Sequence, residues 1–214
     1  MARARGQHGA IVGVAEHGNS AVLITLGPDG ELLDRRRIDL TTGLPTHPYH
    51  HEGSWAIGRY ANSPWARKIA LPEAVALVKK VREAAARGAV DSLEKLASTV
   101  PMVIEAIAIR ACPTLPETIE ERIRDTRASN VADSIMYREA LATAAQSRGW
   151  SVRWYDRDDV SKRATTARSG QDVDKFLAAL GKSIGPPWQA IHKLAATAAI
   201  AARGPKSGPE IRIP

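Results

Sequence analysis

The tetrapeptide Gly27-Pro28-Asp29-Gly30 limits the fold more than any other feature of the chain. Proline presets one backbone dihedral and glycine permits a positive φ, so these residues turn the chain back on itself. Two short apolar runs precede the turn, Ala10–Ala15 and Ala21–Leu26, and Glu31–Leu40 follows it. All three have strand length, and the second is rich in Val, Leu, Ile and Thr. The pattern predicts a three-stranded meander. Its third strand carries Arg35, Arg36 and Arg37 in succession, which suits a sheet edge or a solvent-facing strand, where charge discourages unwanted pairing.

Periodicity then disappears from Thr41 to Leu71, an irregular connection containing Pro, Gly, His and Trp. Connections this long inside compact folds are usually functional or mobile. A helix is predicted next, with Pro72 in its first turn, Ala74, Leu77, Val78, Val81 and Ala85 on one face, and Gly88 as its stop. A second helical piece covers Asp91–Ser98. Val103–Ile109 reads as a fourth strand. Helical sequence runs from about Pro116 to Arg148, broken near Arg127–Asn130, with Gly149 as its cap. Ser151–Asp156 is a fifth strand, Asp172–Leu180 a short helix before Gly181, and Pro187–Arg203 a last helix ending at Gly204. The order βββαβαβα describes an α/β sheet of mixed strand direction.

Composition fixes the class of protein. The chain has 214 residues, 44% hydrophobic and 25% charged, enough to bury a substantial core. No run approaches the roughly 20 apolar residues of a membrane span, and Met1–Gly9 lacks the apolar centre of a secretory signal. A cytoplasmic protein with no membrane partner is expected. The single cysteine, Cys112, excludes an intramolecular disulfide framework and a multi-cysteine zinc site. No GxxxxGK[ST] loop and no GxSxG elbow is present, which removes support for nucleoside-triphosphatase and serine-hydrolase readings. The net charge is +7, and Val160–Lys206 holds eight Lys and Arg against two Asp. Such a concentration favours a polyanionic partner, because each neutralised phosphate releases counterions. A solubilising face on Ala-rich helices is the alternative.

From Ser134 to Ile200 the chain lays out a helix, a strand, a basic loop, a helix, Gly185-Pro186-Pro187-Trp188 and an Ala-rich helix. This layout resembles the ribonuclease H-like superfamily, and most closely the RuvC-type Holliday-junction resolvases. The resemblance implies a mixed five-stranded sheet flanked by helices, formed by one domain over residues 1–204. It leaves 41–71 as an insertion and 205–214 as a tail. It also implies nucleic acid, DNA by preference, as partner, a homodimer, and a divalent metal, with magnesium or manganese ahead of zinc. Family members hold two metals with acids at the ends of strands one and four and on the last helix, because a two-metal clamp needs several anionic oxygens in one cluster.

Carried onto this chain, the first acid falls on Glu16, while Arg110 stands at the strand-four position and Gln189 and His192 at those of the last helix. Glu16 and His192 are thus the expected metal ligands, with Arg110 placed to stabilise charge on a scissile phosphate. Strands one, three, four and five should run parallel, bringing Glu16, the insertion, Arg110 and Asp156 to one sheet edge. The insertion adds His47, His50, His51 and Glu52, a donor set suited to a metal. The alternatives are a surface loop for these histidines, a cap or packing role for His192, a Glu16–Arg110 pair, and a solvated Asp156. Lys162, Arg163, Arg168, Lys182 and Lys193 are expected along a nucleic-acid backbone. Trp55 and Trp65 would stack on unpaired bases or else anchor their loop.

Three functions compete on these grounds. The first is a nucleic-acid-binding RuvC-like protein with metal-dependent, structure-selective endonuclease activity. The second is an inactive fold serving as a structural or regulatory subunit. The third is a metal-dependent hydrolase of a small substrate built on the His cluster.

Overall fold

The computed structural model describes residues 9–204, so the expected tail at 205–214, including Lys206, lies outside the described residues. The meander forms as its turn dictates: β1 (Ala10–His17), β2 (Ser20–Leu26) and β3 (Leu32–Asp39) pair antiparallel in succession. Gly30 sits at φ 86 and its N–H donates to the Gly27 carbonyl at 2.9 Å. β4 (Ile104–Arg110) joins β1 in parallel and β5 (Ser151–Tyr155) joins β4 in parallel, giving the order β3-β2-β1-β4-β5. Four strands therefore run one way and only β2 opposes them. The three arginines are on an edge strand, as their charge predicts.

Alternation along the strands divides the core between the two faces of the sheet. Val12, Val14, Leu23, Ile107 and Ile109 pack toward α2 (Leu71–Thr99) and α4 (Thr126–Ser147), against Val78, Val81, Leu93, Leu96, Met136 and Leu141. Ile11, Ala15, Ile24, Ala106 and Ala108 pack toward α7 (Ala190–Ala201), with α5 (Val160–Ala167) and α6 (Val173–Ile184) completing that layer. α7 lies on the sheet backbone to backbone. A Cβ at Gly13 would overlap the Ala195 carbonyl oxygen, which explains why Ala195, Ala196, Ala198 and Ala199 are all small.

Several helical boundaries differ from expectation. α2 is one helix of 29 residues, not two pieces stopped at Gly88. Gly88 lies inside it because the helix crosses β3's exit closely, and a Cβ there would overlap the Leu40 carbonyl. The break after strand four comes earlier than Arg127. α3 (Ile119–Arg124) starts on a Thr118–Glu121 capping box, and the Asp125 carboxylate then accepts from the Arg127 and Ala128 amides, starting α4. The expected basic loop is partly helix α5, held by buried Val160 and Ala164. Gly181 lies within α6, where the Trp188 ring covers it, and α7 starts at Ala190 rather than Pro187. The insertion is not wholly irregular: it contains a π-helical turn (Tyr49–Gly53) and the short α1 (Ser54–Ala56). Among the described residues no helix is long and apolar enough to cross a membrane.

Candidate functional site

The ends of β1, β3, β4 and β5 meet at one edge of the sheet, where ligands of open α/β folds bind. Strand parity decides what each end presents to α7. Ala15, 1% exposed, is the last α7-facing residue of β1 that packs in the core. Glu16 follows Val12 and Val14 to the opposite face, toward α4. There Arg138 of α4 takes it. The Arg138 Nε donates to Glu16 Oε1 at 2.7 Å, its Nη2 approaches the same oxygen, and its Nη1 donates to the Ala111 carbonyl at 3.1 Å. Both side chains are less than one-tenth exposed, at 8% and 7%. The partner of Glu16 is thus Arg138 and not Arg110. Arg138 sits mid-helix among buried residues, and an arginine on a helix face otherwise apolar was the one sequence signal for it.

The α7 side of the same edge holds other groups. Arg110 follows Ala106 and Ala108 to that face and is half-buried. Tyr155, in register with Arg110, reaches across β4, and its hydroxyl donates to the Val14 carbonyl at 2.8 Å. Burial first, and then the Glu16 charge, hold that hydroxyl protonated well above the ordinary tyrosine range. At the start of α7, the Gln189 N–H donates to His192 Nδ1 at 3.2 Å, and the His192 N–H donates to the Gln189 main-chain carbonyl at 3.0 Å. The imidazole thereby caps an N–H at the start of the helix, and burial, with Arg35 nearby, lowers its pKa. Arg35 crosses from β3 to donate to the Gly185 and Pro187 carbonyls at 2.9 and 2.8 Å, fixing the segment before α7. Asp156 is exposed, and its Oδ1 accepts from the Asp158 amide at 2.9 Å, a turn leading into α5.

The sheet therefore separates Glu16 from His192. On the α7 side the strand ends offer Ala15, Arg110 and Tyr155, which supply no anionic oxygen, and a capped imidazole. A pair of divalent cations needs several carboxylate oxygens converging on one point. The residues present do not fit such a pair, and no group of three His, Cys, Asp or Glu with suitable geometry occurs among the described residues.

The insertion is anchored by Asp133, which the sequence reading missed. Its carboxylate accepts from the Tyr49 and His50 amides at 2.9 and 3.0 Å. Burial nevertheless pushes its pKa up to about 7, outweighing those two bonds. His47 Nδ1 lies 3.9 Å from Asp133 Oδ2. Desolvation and then the neighbouring imidazoles of His51, His50 and His17 lower the His47 pKa. His47, His50 and His51 do come together, with Asn130, Asp133 and Ser134, around an open pocket of about 430 Å³. Glu52 is not in its lining, and its Oε2 is buried without a hydrogen-bond partner. Trp55 and Trp65 meet at 6.0 Å between ring centroids.

Thermus thermophilus RuvC in complex with a Holliday-junction substrate superposes on this chain with a TM-score of 0.50. The match covers 91% of this chain and 92% of that one, at 12% sequence identity. The fold is RuvC-like. A second Thermus thermophilus RuvC structure aligns over 90% of this chain and 92% of its own, with 12% identity and a TM-score of 0.44. No protein-family model matches the sequence, and no curated protein does.

On this RuvC-like fold the basic residues divide into two kinds. Lys162, Lys182 and Lys193 are exposed, and the helices carrying them, α5, α6 and α7, form the layer that Arg110 faces. Arg163 instead donates to the Trp154 carbonyl at 3.3 Å. Arg168 donates to Gln171 Oε1 at 2.8 Å and lies 3.9 Å over the Phe176 ring.

Proposed function

We propose that this chain is a nucleic-acid-binding protein on a RuvC-like fold that holds its partner without two-metal cleavage. One observation carries the reading: at the strand ends facing α7, where a metal pair would need carboxylates, the chain presents Ala15, Arg110 and Tyr155. Arg110 is a fixed cation with a fork of donors suited to a phosphate, so the site attracts the anion that a metal pair would otherwise bridge. The exposed Lys162, Lys182 and Lys193 extend the same charge over the α5–α7 layer. The matched RuvC structure holds a Holliday junction. Branched DNA is accordingly the first substrate to try, and a two-fold dimer suits a substrate with two equivalent strands.

The test is binding and cleavage read from the same samples. The purified chain is mixed with end-labelled single-stranded, duplex and four-way-junction DNA in Mg²⁺, Mn²⁺ or chelator. The expected result is salt-sensitive binding that chelator leaves unchanged, with no nicking. Each of Lys162→Ala, Lys182→Ala and Lys193→Ala that removes a phosphate contact should reduce the slope of log affinity against log salt by about 0.9. Metal-dependent nicking that disappears in Glu16→Gln and His192→Ala would overturn the non-cleaving part of the reading. Absence of binding to every nucleic acid would overturn all of it.

A further inference from the structure

Between Gly53 and Ala70 the chain carries Arg59, Arg67 and Lys68 and no acid. Its large rings stay out of the core. Trp65 is 52% exposed and Tyr60 43%, although rings that only anchor a loop would be covered. They are held against one another instead. Tyr60 and Trp65 lie 5.6 Å apart between centroids, Trp65 and Trp55 6.0 Å, and Trp55 and His51 5.9 Å. Trp65 is tilted by 46° to Tyr60 and by 51° to Trp55, so these three rings are splayed, while His51 stacks on Trp55 at 14°. His50 also neighbours Tyr60, at 6.2 Å between centroids.

The segment beneath the rings is tied to the helices through Arg59. Arg59 donates through Nη1 to Ser129 Oγ at 2.8 Å and through Nη2 to the Arg124 carbonyl at 2.9 Å, tying the segment to the junction of α3 and α4. Tyr60 occupies the left-handed region at φ 60, disfavoured for a residue with a side chain, and its carbonyl accepts from the Ser63 amide at 2.8 Å. The Arg67 guanidinium lies 5.8 Å from the ring centre of Trp55, the neighbour of Trp65.

We propose that the Tyr60–Trp65 face is a stacking platform for an unpaired nucleobase, with Arg67 and Lys68 taking the adjoining phosphates. The proposal rests on the nucleic-acid reading above and adds which part of the nucleic acid the insertion takes. Aromatic faces accept any base, but a base inside a duplex already has both faces covered, so such a platform selects unpaired positions. Cations without a compensating acid supply the matching charge for the backbone on either side of that base. A protein partner is the competing occupant, and the experiment separates it.

The 214-residue chain would be titrated against a fully paired DNA duplex and against the same duplex with a short single-stranded gap carrying a fluorescent purine analogue. Wild type, Trp65→Ala, Tyr60→Ala and Trp65→Phe are compared, with thermal melts confirming that each is folded. The expected result is tighter binding of the gapped DNA and quenching of the analogue, as a stacked base gives. Trp65→Ala should weaken gapped-DNA binding roughly 5- to 100-fold, leave duplex binding unchanged and abolish the quench, while Trp65→Phe restores part of both. If wild type binds DNA and the alanine variants match it on both substrates, or lose both equally, the platform proposal is overturned and the function reading stands. If wild type binds neither DNA, the function reading fails and the platform proposal falls with it.

Discussion

Glu16 and Arg138 face each other with almost no water at either charge, so each depends on the other for solvation. Removing one partner strands the other. Arg138→Met should lower the unfolding free energy by about 3–5 kcal/mol in urea denaturation, and adding Glu16→Leu should recover much of that loss. Asp133 gives a pH signature. Its carboxyl is held up to about 7 in the folded chain, mainly by burial, whereas an unfolded aspartate releases its proton near pH ~4. Between those values the folded state binds the extra proton, so this group's contribution to stability falls as pH rises. The stability difference between wild type and Asp133→Asn should therefore decline from about pH 4 to 7, with a slope approaching ~1.4 kcal/mol per unit, and level off above. Because His47 Nδ1 lies 3.9 Å from Asp133 Oδ2, the comparison is made in a His47→Asn background, which removes the opposite contribution of that imidazole. Little of this was legible in the sequence. Glu16 could be placed at a strand end, but which face it took turned on a single step of parity. Asp133 was hidden because one acid in a helix pattern carries no sign of what will cover it.

At the scale of the element, glycine was the ambiguous signal. Gly88 reads as a helix stop, yet its role is to let α2 pass over the Leu40 carbonyl, and only the packing of distant segments tells the two apart. The two uses predict opposite outcomes for Gly88→Ala. On an open helix face the change would stabilise by about 1 kcal/mol through propensity. Here the new Cβ meets backbone, so the variant should be less stable by about 1–3 kcal/mol in thermal or urea unfolding. α5 was missed for a related reason: only Val160 and Ala164 of its eight residues are buried, too few for a periodic pattern to stand out. The first turn of α7 was legible in spacing but not in meaning. Gln189 and His192 are three residues apart whether they bind a ligand or cap a helix, and the bond from the Gln189 N–H to the imidazole identifies the cap.

Across the whole molecule, the order of strands and helices was the most legible property, because turn chemistry and apolar run length act locally while the sheet assembles from them. The meander and the edge position of the arginines follow from such local signals, whereas the parallel additions of β4 and β5 were implied by the family resemblance. The chemistry of the strand ends was less legible, since it depends on which side of a wall each side chain faces. The borders of that wall carry one more implication. β3 closes one border with three consecutive arginines. At the other, β5 is only five residues long and has its Trp154 carbonyl already engaged by Arg163. Charge and brevity both keep a border from templating a further strand. Two copies of this chain would therefore meet through helices or loops, and self-association by a sheet running from one copy into the next is closed off.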